Sequence, residues 1–193
     1  DWPRYRHVLG ASREYPGKLT VDEALWGKGA GGPGACLPVA WWYSLREGGM
    51  ASVAADLLEH SDLMGSIFSW YTRRCLDELQ AIVRAENRGL MDAYFIQGSS
   101  SSLSLSSLYF FQTYDLPFLK AVTAVTHAAN ITSHLHVCGR SRAIVELCHD
   151  ETQLDIMEPL ERAPGGDCDL GEVKRRFGEK LVLKGNINTF NLL

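Results

Sequence analysis

From residue 90 onward, short apolar runs alternate with segments of helical period, and this alternation restricts the fold more than any other feature. LMDAYFIQ (90–97), SHLHVC (133–138), LDIMEPL (154–160) and KLVLKGNI (180–187) have the length and apolar content of strands. Pro159 cuts the third of them short. Between the strands, DLPFLKAVTAVTHAAN (115–130), RSRAIVELCHDE (140–151) and DLGEVKRRFG (169–178) read as helices. The first carries proline near its opening turn. The last has Asp169 and Glu172 spaced as a capping box and Gly178 just past its end. Strands alternating with helices predict β-α units and a parallel sheet.

The pattern is less regular upstream. Over residues 50–88, Val53, Leu57, Leu58, Ile67, Phe68, Tyr71, Leu76, Leu79, Ile82 and Val83 recur at helical spacing. Gly65 is expected to divide this stretch into two helices, and Gly89 to stop the second. LPVAWWY (37–43) is expected to be a further strand. Residues 1–36 form a loop-rich segment. Within it, GKGAGGPGAC (27–36) has the glycine content of a phosphate loop but no Gly-Lys-Ser/Thr ending to grip phosphate and magnesium, so it reads as a flexible connection. SSSSLSLSS (99–107) is a polar, low-complexity loop.

Composition excludes several functions. The chain has 193 residues, 46% hydrophobic and 22% charged, which suits one soluble globular domain. A net charge of −4 with no clustered basic face argues against nucleic-acid binding. No apolar run reaches the roughly 20 residues of a membrane span, and no apolar signal segment opens the chain. Five scattered cysteines, an odd number, read as reduced thiols in a cytoplasmic protein. The chain starts at Asp1, as expected of a piece of a longer protein.

In parallel α/β architectures, function gathers at the carboxyl ends of the strands. Those ends are Gln97 with the serine loop, Cys138-Gly139, Glu158 through Glu161, and Gly185-Asn186. SHLHVCGRS (133–141) carries the strongest chemistry. Strand alternation puts His134, His136 and Cys138 on one face and Leu135 and Val137 on the other. Residues two apart stand about 6.6 Å apart at the backbone. An imidazole and a thiolate can tilt from that spacing onto one zinc. His134 lies deeper, about 13 Å of rise from Cys138, and takes a buried, hydrogen-bonded role. Spacing alone leaves two readings open, a metal site or a dry His/Cys core. Cys148 and His149 fall on a helix with mostly surface periodicity, and Cys36, Cys75 and Cys168 read as incidental. Asp167 and Asp169 read as helix caps.

QGSSSSLSLSSLYFFQTYDLPFLKAV (97–122), LHVCG (135–139), DIMEPLE (155–161) and GDCDLGEVKRRFGEKLVLKGNI (166–187) together resemble the uroporphyrinogen decarboxylase superfamily. The resemblance is closest to its branch of corrinoid-dependent methyltransferases. It runs from about residue 90 to 188, is weaker over 37–89, and is absent from the first thirty or so residues. It implies a (β/α)8 barrel, which takes about 250 residues, so this chain is expected to hold four or five β-α units of one. The barrel is then completed by further chain or by another copy of the protein.

The resemblance also implies a reaction. Zinc-dependent members of that branch move a methyl group from a corrinoid protein to a small-molecule thiol activated as a zinc thiolate. They use a His-x-Cys pair, matched here by His136 and Cys138, and a later cysteine that has no counterpart before Leu193. In some relatives a glutamate from the following strand approaches the metal. Glu158 matches it and is the expected third ligand and catalytic carboxylate, with Glu161 second. Gln97, Asn186 and Glu161 are expected to bind substrate at the mouth. The arginine-rich motif and catalytic aspartate of true decarboxylases are not found, and Arg4, Arg6 and Arg13 do not match that motif's setting. Decarboxylation is the runner-up, and a silent binding module of the same fold the third reading.

Overall fold

A computed structural model describes residues 34–84 and 92–187. Strands β1 (Gly34–Cys36), β2 (Ala93–Gln97), β3 (Thr132–His136), β4 (Ile156–Glu158) and β5 (Val182–Leu183) form one five-stranded sheet. Their order across the sheet is their order in the chain, and every pairing is parallel. This is the wall of a (β/α) barrel, as the alternating pattern predicts.

Helix α1 (Pro38–Leu45), α2 (Gly49–Glu59) and α3 (Ser61–Ile82) connect β1 to β2. A continuous helical run connects β2 to β3: one turn at Leu108–Phe110, a π-helical stretch at Phe111–Asp115, and then α4 (Leu116–Ala128). Two single helices, α5 (Arg142–Glu151) and α6 (Leu170–Phe177), make the remaining crossovers.

Alternation sorts the strand side chains. Tyr94, Ile96, Leu135, Val137 and Met157 are at most 3% exposed and pack beneath the helices. On the other face, Phe95 is 37% and Val182 59% exposed. The main core joins that buried strand face to Tyr71 and Leu79 of α3, Phe118 and Leu119 of α4, Ile144 and Val145 of α5, and Val173 and Phe177 of α6. A second core is built by Val39, Trp42, Val53, Leu57, Met64, Ile67 and Phe68 from α1–α3, with Phe110 and Tyr114. At the edge of the sheet, the Tyr71 hydroxyl accepts the Cys36 N–H (3.1 Å) and donates to the Cys36 carbonyl (3.0 Å). It thereby satisfies backbone groups that β1 would otherwise leave open.

Three expectations are corrected. LPVAWWY is not a strand but the body of α1. Pro38 stands in its first turn, where the missing N–H costs nothing, and Asp115 Oδ1 accepts the Val39 N–H at 2.9 Å. The strand of that unit is Gly34–Cys36 instead. Second, the break between α2 and α3 falls at His60 (φ −129°, ψ 39°), whereas Gly65 lies inside α3. Third, α5 is not a surface helix: Ile144, Val145 and Cys148 are fully buried, and burial pushes the Cys148 thiol up to about 12. Gly89 and residues 1–33 lie outside the described residues.

The other boundaries follow local chemistry. Asp169 Oδ1 accepts the Glu172 N–H at 2.7 Å and caps α6, and β4 ends before Pro159. Pro117 has no N–H to bond four residues back, and the chain meets this with the wider π turn just before it, where the Leu116 N–H donates to the Phe111 carbonyl. All five cysteines are free. No helix among the described residues is long and apolar enough to cross a membrane.

Candidate metal centre

The strand register draws one row of side chains across the carboxyl ends of the sheet. Cys36 pairs with Gln97, Gln97 with His136, and His136 with Glu158. Lys184 follows Leu183, the partner of Met157, and so falls beside Glu158. Its N–H donates to the Met157 carbonyl at 3.0 Å. Cys138 lies two residues beyond the end of β3, in the turn toward α5.

His136 stands at the middle of a relay. Its Nδ1 is 2.9 Å from Glu158 Oε1, and its Nε2 is 2.9 Å from Cys138 Sγ. An ionised Glu158 carboxylate can only accept, so Nδ1 donates to it, and Nε2 faces the Cys138 sulfur. The Ser99 hydroxyl, from the serine loop, donates to Cys138 Sγ at 3.5 Å.

Glu158 is the hub. Besides His136 it meets Lys184 Nζ at 2.5 Å and His134 Nε2 at 3.2 Å, both through Oε2. Burial pushes the Glu158 carboxyl up, but Lys184, His136 and His134 outweigh it and hold it below the usual carboxylate range. His134 lies one layer deeper, with the Phe95 ring edge-on at 5.2 Å. Burial pushes its imidazole below the usual range, against the pull of Glu158. Its approach to Glu158 lacks the angle of a hydrogen bond, so Nε2 is a buried polar atom without one.

The structure thus brings His136, Cys138 and Glu158 together, but on two edges of one imidazole. Cys138 faces Nε2 and Glu158 faces Nδ1. Among the described residues, no three His, Cys, Asp or Glu side chains converge into a metal cage. The His136–Cys138 pair still suits zinc in its donor chemistry. At bond lengths of about 2.0 and 2.3 Å, tetrahedral zinc holds nitrogen and sulfur about 3.5 Å apart. The pair at 2.9 Å would need to open by about 0.6 Å. Glu158 on the far nitrogen is the usual carboxylate–histidine support of a metal-binding imidazole.

The remaining expected residues fall as follows. Gln97 sits beside His136 in the row. Glu161 Oε2 accepts the Gly139 N–H at 3.0 Å, and Asn186 Nδ2 donates to the Leu160 carbonyl at 3.0 Å. Both therefore brace the turns around the site. Asp167 Oδ1 accepts the N–H groups of Ser141 (2.8 Å) and Arg142 (3.0 Å), capping α5 rather than the helix that follows it. Lys184 and Ser99 were not singled out from sequence. Lys184 had a signal: it alternates with Val182 along KLVLKGNI, at a strand end.

A family model described as uroporphyrinogen decarboxylase matches residues 34–193. Neither the curated proteins nor the solved structures contain a match to this chain.

Proposed function

Because the chain belongs to the uroporphyrinogen decarboxylase family across residues 34–193, we propose that it serves that family's zinc-dependent methyl-transfer chemistry, with His136 and Cys138 as the metal-binding pair. The observation that carries this reading is the two-sided placement of His136, with Glu158 on one nitrogen and Cys138 at the other. Decarboxylation gives no use to such a pair. Further donors would come from outside the described residues or from the substrate. Zinc bound there would supply a Lewis acid that holds an acceptor thiol as thiolate near neutral pH.

The chain's own residues do the rest. Glu158 holds the Nδ1 proton of His136 and fixes the ring plane, leaving Nε2 free to donate its electron pair. Cys138 brings negative charge to the same edge, and the Ser99 hydroxyl orients its sulfur. The open face of the sheet, with Gln97 beside His136, is where an acceptor thiol and a corrinoid protein would approach. The protein would act as part of a complete barrel, in one longer chain or between copies.

Zinc analysis of the purified protein tests the reading. One equivalent of zinc is expected, lost in Cys138→Ala and His136→Ala, together with methyl transfer from methylcobalamin to a small thiol. Zinc-free protein whose behaviour is unchanged in Cys138→Ala would refute it. Consumption of a porphyrinogen would point to decarboxylation instead.

A further inference from the structure

Helix α3 buries one face in both cores, through Met64, Ile67 and Phe68 in one and Tyr71, Cys75 and Leu79 in the other. Its opposite face carries Asp62, Ser66, Ser69 and Arg73, all exposed. Steps of four, three and four residues set these side chains in one line along the helix. Among the described residues, neither Asp62 nor Arg73 has an ion-pair partner, whereas the neighbouring Arg74 pairs with Glu78 at 2.9 Å. Leu63, 36% exposed, and the half-buried Trp70 flank the line on one side. On its other side Gly65 leaves the helix surface low, since a Cβ there would meet nothing within 4 Å.

This face is complementary to itself. A second α3 can be laid against it antiparallel, crossing at the level between Ile67 and Phe68. Asp62 then stands level with the second copy's Arg73, and Arg73 with its Asp62. Ser66 meets Ser69, two small side chains that let the backbones approach. Leu63 comes within about 3 Å of the level of the second copy's Trp70, on the same flank. A two-fold axis requires this kind of match, because one patch makes every contact twice. Other registers fail. Sliding the mate by one turn sets Asp62 against Ser69 in one direction and against the exposed Asp77 in the other. A parallel mate sets Asp62 beside Asp62.

We propose that α3 is the contact surface of a two-fold dimer of this chain, in antiparallel register, fixed by two reciprocal Asp62–Arg73 ion pairs. The helix packs on the buried face of the sheet, opposite the face that carries His136, so dimerisation leaves the mouth open. The dimer is independent of the zinc reading.

Sedimentation equilibrium of the 193-residue chain at low ionic strength tests this, with circular dichroism confirming the fold of each variant. Wild type is expected to be a dimer. Arg73→Asp and Asp62→Arg should each raise its Kd at least about tenfold, because like charges then face each other twice. The double variant Asp62→Arg/Arg73→Asp restores opposite charges and should return Kd to within about threefold of wild type. A monomeric wild type overturns the proposal. So does a dimer indifferent to Arg73→Asp, which another face must then hold. A folded double variant that stays as weak as the single variants also overturns it, since the two charges then do not face each other.

Discussion

The Asp115 carboxylate accepts the Val39 N–H at 2.9 Å, joining the first turn of α1 to the π-helical stretch 76 residues later. Asp115 is fully buried, and its Oδ2 has no hydrogen-bond partner among the described residues. Burial drives its carboxyl up to about 7, against smaller opposing pulls from the Val39 N–H and the Ser101 hydroxyl. The folded protein therefore holds this proton more tightly than the unfolded chain, whose aspartates titrate near 3.9. Stability from this group is complete below about pH 4 and falls as pH rises to about 7, by a few kcal/mol in total. Urea unfolding of wild type and Asp115→Asn across pH 4–8 measures this. The difference between them should shift toward the variant as pH rises, and parallel curves would contradict the argument.

Glu158 supports His136 from behind, and its partners have few alternatives. Glu158→Ala should lower zinc affinity about 10- to 100-fold, the range found when a carboxylate behind a metal-binding histidine is lost. It should also cost about 1–3 kcal/mol of stability by leaving His136 Nδ1 without its partner. Competition with a zinc chelator and chemical denaturation give the two numbers. Unaltered affinity would place the orienting role elsewhere.

Gly139 ends the turn after Cys138 at φ +74°, and a Cβ there would lie 2.4 Å from Ser104 Oγ. Gly139→Ala should cost about 1–3 kcal/mol, since both the backbone conformation and the serine loop must give way. The same change should disturb the Ser99–Cys138 contact, because Ser99 belongs to that loop. Thermal unfolding and the alkylation rate of the folded protein check the two effects. A variant as stable as wild type would mean that the turn relaxes freely.

Gly65 is the opposite case. It sits inside α3, and a Cβ there would meet nothing within 4 Å. Gly65→Ala should raise stability by about 0.5–1 kcal/mol by removing backbone freedom from the unfolded chain. Denaturant midpoints test this, and a loss of stability would show that the helix depends on the glycine.

These cases show which parts of the molecule its sequence discloses. From β2 onward, the period of the apolar residues locates each strand and helix to within a few residues, because one face of each element is buried and the other is not. LPVAWWY resembles a strand in sequence because its residues pack into two cores, Leu37 and Ala40 in one and Val39 and Trp42 in the other, so neither period stands out, and because the carboxylate at its first turn, Asp115, is remote in sequence. Glycine is costly in a helix interior, which makes Gly65 read as a break, but α3 buries Met64, Ile67, Phe68, Tyr71, Cys75 and Leu79 and carries that cost. At the site, strand parity correctly put His134 and His136 on one face. It could not show that the imidazole of His136 would separate Glu158 from Cys138, since side-chain torsions, not residue spacing, decide which nitrogen faces which partner. The jobs of Glu161 and Asn186 were hidden for a related reason: each bonds a backbone group of a neighbouring turn.

The sequential order of the strands also governs how the protein is assembled. Each strand docks on the one made just before it, so the wall grows from β1 to β5 without waiting for any distant segment. The pairings span from 22 residues (His134 with Ile156) to 61 (Gly34 with Phe95), each bridged by its own helices. The row at the mouth is laid down in the same sequence: Gln97, then His136, then Glu158, and Lys184 last. A nascent chain that has reached β4 already holds both histidines and the carboxylate between them, but not the ammonium of Lys184 that pairs with it. Among the described strands, Lys184 is thus the last member of the row to be made, and it arrives at a carboxylate that His136 already holds.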